Sequence, residues 1–161
     1  MSLLEEIFEQ PSINKHLIHT QVKRIVQIAD LFRGNDIRYI YLAARGSSDN
    51  AGKYAQYLFG AVNRLPMALA TPSLFSLYAT PPLLKNALVI GISRSGMAPD
   101  ILSVLEEARR QGCPTLLITN SPNSPMAEIS DHVIDIHAGE ERAVAATKTY
   151  TATLTCIALL S

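Results

Sequence analysis

Two short stretches of this 161-residue chain gather hydroxyls, glycine and arginine closely enough to hold an anion. The first reads Ala44-Arg45-Gly46-Ser47-Ser48-Asp49-Asn50-Ala51-Gly52, the second Gly91-Ile92-Ser93-Arg94-Ser95-Gly96. Each follows an apolar run and opens an amphipathic one, the pattern of a strand-to-helix junction. A helix N-terminus presents unpaired backbone N–H groups and a partial positive charge, which together stabilise a phosphate. The hydroxyls of Ser47, Ser48, Ser93 and Ser95 would add donors, and Gly46 and Gly96 would let the backbone approach an oxygen. Arg45 and Arg94 would add full charge. Taken singly, such a turn is ordinarily explained by Ser48 or Ser95 capping its helix. Two of them at neighbouring strand ends favour a phosphate site. Neither is a Walker loop, which ends in Gly-Lys-Ser/Thr, and the dinucleotide pattern Gly-x-Gly-x-x-Gly is absent.

A third segment, Gly139-Glu140-Glu141-Arg142-Ala143-Val144-Ala145-Ala146-Thr147-Lys148, reads by itself as a helix start with two carboxylates near the positive dipole end. From Arg142 the pattern is helical to Ser161, and it closes on Cys156-Ile157-Ala158-Leu159-Leu160 without a glycine cap or proline. Such an end predicts bare apolar surface. Either the chain is a piece of a longer protein, the preferred reading, or this is an interface helix.

These segments need elements to position them. Apolar runs at 39–43, 67–70, 87–92, 115–119 and 132–136 have the length and flanking turn residues of buried parallel strands. Helical stripes lie between them, with Ala51, Tyr54, Ala55, Leu58, Phe59 and Val62 on one and Ile101, Val104, Leu105 and Ala108 on another. Residues 71–86 carry three prolines and predict a short helix and a loop. At the N-terminus, Leu3, Leu4, Ile7 and Phe8 predict a helix ending at Pro11; a second, with Val22, Ile25, Val26, Ala29 and Phe32 on one face, ends at Gly34. Alternating strands and helices predict an α/β fold: a three-layer, doubly wound, flavodoxin-like domain with a five-stranded parallel sheet. In such sheets ligands bind outside the carboxyl ends of the strands, where strand order reverses.

Bulk properties exclude several classes. Fourteen basic residues balance fourteen acidic ones, which argues against nucleic acid as a partner. No apolar stretch is long enough to span a bilayer, and the acidic start Met1-Ser2-Leu3-Leu4-Glu5-Glu6 is no signal peptide. Cys113 and Cys156 show neither disulfide nor metal-site spacing, so a reducing cytoplasm is expected, with no metal and no cofactor. His16, His19, His132 and His137 make no ligand or triad spacing and receive no role.

Four motifs together resemble the sugar isomerase (SIS) family, and within it the isomerase half of the glucosamine-6-phosphate synthases. Glu6-Ile7-Phe8-Glu9-Gln10-Pro11 resembles the opening of that half. Gly46-Ser47-Ser48 resembles its Gly-Thr-Ser, Ser93-Arg94-Ser95-Gly96 its Ser-Gln-Ser-Gly, and Val144-Ala145-Ala146-Thr147-Lys148 its Val-Ala-Ser-Thr-Lys. The resemblance implies a helical segment at 1–34 packed on an SIS domain at 35–161, the first of a tandem pair. It implies a hexose 6-phosphate bound by Gly46, Ser47, Ser48, Ser93, Arg94, Ser95, Gly96, Ala98, Val144 and Ala146.

Departures from the family pattern matter. Arg94 replaces a glutamine, Met97 and Ala98 replace Glu-Thr, and Ala146 replaces a serine. A hydrogen bond to a charged group contributes about 1.5–3 kcal/mol. Each lost hydroxyl, at Ala98 and Ala146, is thus expected to weaken binding by about tenfold or more unless Arg94 compensates through its guanidinium. A different sugar from the synthase's is therefore expected. The family's acid–base residues lie in a second SIS domain, so no base is assigned; Glu141 is the nearest carboxylate, with a structural ion pair or a helix-dipole role favoured for it. Lys148 reads as a helix ion-pair partner rather than a Schiff-base amine, since nothing in the sequence indicates its burial. The leading expectation is part of an enzyme that isomerises, deaminates or transfers an amine on a sugar phosphate, working as a homodimer or with a second SIS domain. The alternatives are a non-catalytic sugar-phosphate sensor and a bare dimerisation module.

Overall fold

The computed structural model describes residues 2–161. Its elements run in the order α1 (Leu3–Arg33), β1 (Tyr39–Ala43), α2 (Ser47–Leu58), β2 (Met67–Leu69), α3 (Ser73–Ser76), β3 (Ala87–Ile92), α4 (Pro99–Arg110), β4 (Thr115–Thr119), α5 (Pro125–Ile129), β5 (His132–Asp135) and α6 (Lys148–Leu160). All five strands are parallel and lie in the order β2-β1-β3-β4-β5. Every residue of β3 and β4 is buried, as strands covered on both faces must be. Side chains alternate between two cores. Leu88, Ile90, Ile92, Leu116 and Ile118 face α1, α2 and α6. Ala87, Val89 and Leu117 face α4 and α5. The α/β three-layer arrangement is therefore the expected one, and the strand limits agree within a residue.

The helices differ more. The two predicted N-terminal helices are one, α1, running through Pro11. Proline removes the N–H that would bond Ile7 O, but the Gln10 Nε2 amide donates to that carbonyl at 3.0 Å, and the Ser12 hydroxyl donates to Glu9 O at 2.7 Å. The buried face of α1 is Leu17, Ile25, Ile28 and Phe32; Val26 points to solvent instead. On α2 the stripe holds for Ala51, Ala55 and Phe59, but a π-helical turn at Phe59–Asn63 rotates Val62 outward, and Tyr54 is also exposed. On α4, Ile101, Val104, Leu105 and Ala108 are all buried.

The helix expected from Arg142 begins only at Lys148. Its apolar end is not bare: α6 packs against α1 and α2, burying Ala152, Cys156, Ile157 and Leu160. An association argued from an uncovered last helix thus loses that support. Among the described residues no helix is long and apolar enough to cross a membrane.

Candidate functional site

Strand order reverses between β1 and β3, whose following helices α2 and α4 pack on opposite faces of the sheet. The carboxyl ends of these two neighbours are where a crevice must open. The two serine turns leave from those ends.

In the first turn Gly46 takes φ 58° and ψ −129°, a backbone that side chains disfavour. It lets α2 begin directly at Ser47. No side chain caps α2, so the hydroxyls of Ser47 and Ser48 are not spent on its N-terminus. In the second turn the serines fold back on the loop: Gly96 N–H donates to Ser93 Oγ at 3.1 Å, and Met97 N–H to Ser95 Oγ at 3.3 Å. Pro99 sets the start of α4, because proline suits a first helical position and holds the preceding Ala98 extended, at ψ 113°. Simple helix capping by Ser48 or Ser95 is therefore not what the structure shows. Gly96 has φ 62°, and a Cβ there would overlap the Ser124 side chain. The end of β4 steadies the turn, with Asn120 N–H and the Thr119 hydroxyl donating to Arg94 O at 3.2 and 3.3 Å.

Residues 140–147 are an irregular loop because carboxylates claim their amides. Glu6 of α1, fully buried, accepts from Arg142 N–H at 2.6 Å and from Ala143 N–H at 3.2 Å. Glu141 accepts from the N–H groups of Thr147 and Thr149 at 2.9 and 3.2 Å, from the Thr149 hydroxyl, and from Arg94 Nη1 at 3.4 Å. It satisfies the N-terminus of α6 from outside the helix. Burial pushes the Glu141 carboxyl up, yet the bonds from Thr149, Thr147 and Arg94 outweigh it and hold the group below its ordinary value. A carboxylate so occupied is held as an anion. Lys148 is buried, against expectation, and its ammonium pairs with Glu9 at 2.6 Å.

The three segments converge. One cavity of about 620 Å³ is lined by Arg45, Gly46, Ser47 and Ser48 from the first turn and by Ser93, Arg94, Ser95 and Ala98 from the second. Val144, Ala145 and Ala146 line it from the loop. Gly96 shapes the second turn from behind, and neither it nor Glu141 reaches the lining. Four further polar side chains, Thr119, Thr149, Tyr150 and Thr153, face the cavity. Thr119 ends β4, so the strand-end rule was a signal for it; Thr149, Tyr150 and Thr153 sit inside α6 and carried none. Arg45 and Arg94 stand at the mouth, half or more exposed, and each touches a carboxylate at 3.4 Å, Asp100 and Glu141 respectively. Among the described residues no carboxylate lines the cavity, and the charged groups in its lining are the two guanidiniums.

Other concavities lack this convergence. A larger one, about 870 Å³, opens at the opposite, amino-terminal edge of the sheet. There Asp131 is taken by Thr115 N–H and hydroxyl, and Gln111 by Leu84 N–H, so these polar groups already satisfy one another. Among the described residues no three His, Cys, Asp or Glu side chains group as metal ligands would.

Known proteins show the same architecture. The SIS domain family pattern matches residues 35–161. The chain is 36% identical over 177 aligned positions to the isomerizing glutamine–fructose-6-phosphate aminotransferase of Thermosynechococcus vestitus, across 99% of this chain and 28% of that protein. A candidate phosphosugar isomerase from Silicibacter pomeroyi superposes with a TM-score of 0.93 at 36% identity, over 97% of this chain and 48% of that one. The C-terminal domain of glucosamine-fructose-6-phosphate aminotransferase from Francisella tularensis superposes with a TM-score of 0.85 at 29% identity, over 97% and 45%. The chain thus spans little more than a quarter of the length of the curated relatives it matches. Since that pattern takes in nearly four-fifths of its residues and its fold is that of these relatives, the chain belongs to the SIS domain family.

Proposed function

We propose that this chain binds a hexose 6-phosphate in the cavity between the two serine turns. The observation that carries the reading is the convergence of both turns and the loop at 144–146 on one opening at the switch point of the sheet. The phosphate sits against the N-terminus of α2 and the hydroxyls of Ser47, Ser48, Ser93 and Ser95, with Arg94 replacing the donors lost at Ala98 and Ala146. The names of the relatives point to the same ligand class, fructose 6-phosphate and phosphosugars.

The chain supplies grip rather than proton transfer. Isomerisation moves a proton between adjacent carbons and needs a base within hydrogen-bond reach. Hydroxyl, guanidinium and apolar groups line the cavity, without a carboxylate or imidazole among the described residues. Glu141 is buried and bonded elsewhere. The base therefore belongs to a second SIS domain or a second subunit, with residues 35–161 the first of a tandem pair in a cytoplasmic protein. The same bare lining supports a second reading, a phosphosugar sensor.

Thermal melting tests the grip. Glucosamine 6-phosphate and fructose 6-phosphate should raise the midpoint while the free sugars do not, a ligand at a hundred times its dissociation constant adding about 2.7 kcal/mol. Ser48→Ala and Ser95→Ala should each shrink the shift. Equal shifts from glucose and glucose 6-phosphate would reject the phosphate site. Deuterium entering C-2 of glucosamine 6-phosphate or C-1 of fructose 6-phosphate, with the full-length protein in heavy water, separates enzyme from sensor.

A further inference from the structure

The matched family pattern starts at residue 35, which leaves α1 outside it. Yet the first turns of α1 bond to the loop that carries part of the cavity lining. We infer that Glu6 and Glu9 are positioning residues of the ligand pocket, holding in place the loop that carries Val144, Ala145 and Ala146. This rests on the binding reading above for its ligand, and on geometry for the rest.

Glu6 is a fully buried carboxylate in the first turn of a helix, where an apolar residue would ordinarily sit. Its oxygens take the backbone N–H groups of Arg142 and Ala143 at 2.6 and 3.2 Å, next to Val144. Three residues on, and so on the same side of α1, Glu9 pairs with the buried Lys148 ammonium at 2.6 Å, two residues past Ala146. The two carboxylates therefore clamp the loop on both sides of its cavity-lining residues. Glu141 ties the same loop from within, through Thr147 and Thr149.

The alternative to this bonding is costly. Without Glu6 the amides of Arg142 and Ala143 stay partly buried and unpaired, so the loop must move to find water. Val144 is itself fully exposed and gets no help from packing. Its place at the cavity rim depends on its neighbours' hydrogen bonds. A clamp of this kind acts on the shape of the pocket and not on its chemistry.

The test uses the full chain with Glu6→Ala, Glu6→Gln and Glu9→Gln. Amide hydrogen exchange, read without ligand, should quicken at residues 142–147 in Glu6→Ala while the amides of β3 and β4 keep their rates. Affinity for fructose 6-phosphate, by titration calorimetry well below the melting midpoint, should fall at least tenfold in Glu6→Ala. It should fall less in Glu6→Gln, which keeps one acceptor oxygen. Uniform faster exchange, or unchanged exchange at 142–147, overturns the clamp. Local loosening with unchanged affinity overturns its role in the pocket. If the parent protein binds no phosphosugar, the ligand reading falls by itself, and the exchange pattern still decides whether Glu6 holds the loop.

Discussion

Glu141 illustrates how much one side chain's surroundings decide. By position it is the carboxylate nearest the site, yet its side chain is fully buried and accepts from Thr147, Thr149 and Arg94. Burial raises its proton affinity, and those bonds lower it further still in the opposite sense, below the ordinary 4.5. A depressed carboxyl stabilises the fold above its unfolded value, and that contribution is lost as pH falls through the folded value. The melting midpoint should therefore drop as pH is lowered below about 4.5, and Glu141→Gln should flatten that drop. Circular dichroism melts from neutral pH downward check it; an identical slope in the variant would mean that Glu141 carries no pH-dependent stability. Arg94 has two calls on it, since the guanidinium that touches Glu141 also faces the cavity.

Among the elements, α1 holds together where sequence rules end it. Its continuity past Pro11 depends on Gln10, whose amide serves the carbonyl that proline leaves unpaired. Gln10→Ala should lower stability by about 1 kcal/mol, the usual worth of one hydrogen bond. In a Pro11→Ala background, where a backbone N–H can serve Ile7 O, the same change should cost clearly less. Denaturant melts of the four proteins give the coupling directly. Equal costs in both backgrounds would mean that the side-chain bond does not compensate for the proline. The late start of α6 has a related origin. Amides that would form its first turns are bonded instead to Glu6 and Glu141, so distant carboxylates set the boundary.

At the scale of the molecule, the sheet separates two cores, and each contains one cysteine: Cys156 on the α1, α2 and α6 side, Cys113 on the α4 and α5 side. Burial pushes the Cys156 thiol up to about 12 and raises Cys113 as well, so neither forms the reactive thiolate while folded. Iodoacetamide should label both at one rate, that of global unfolding, as read by peptide mass. A faster Cys113 would show that the α4–α5 layer opens by itself. The cavity spans the same division, since Ser48 belongs to a helix of one layer while Ala98 precedes a helix of the other.

The strands and the three-layer class were legible because apolar runs bounded by turn residues leave a parallel sheet few alternatives. The serine turns were legible for a related reason, since glycine and clustered hydroxyls after a strand have local causes. Helix limits at Pro11 and Arg142 were not, because propensity is local while the groups that overrule it, Gln10's amide and the Glu6 carboxylate, act through bonds that only the folded chain brings into range. The sequence by itself determined the kind of sheet and where its hydroxyl-rich turns lie. Only the tertiary structure decided that residues 48, 95 and 146 face one cavity, that Glu141 is tied up beside it, and that a helix outside the matched domain grips its wall, because these depend on contacts between residues far apart in the chain.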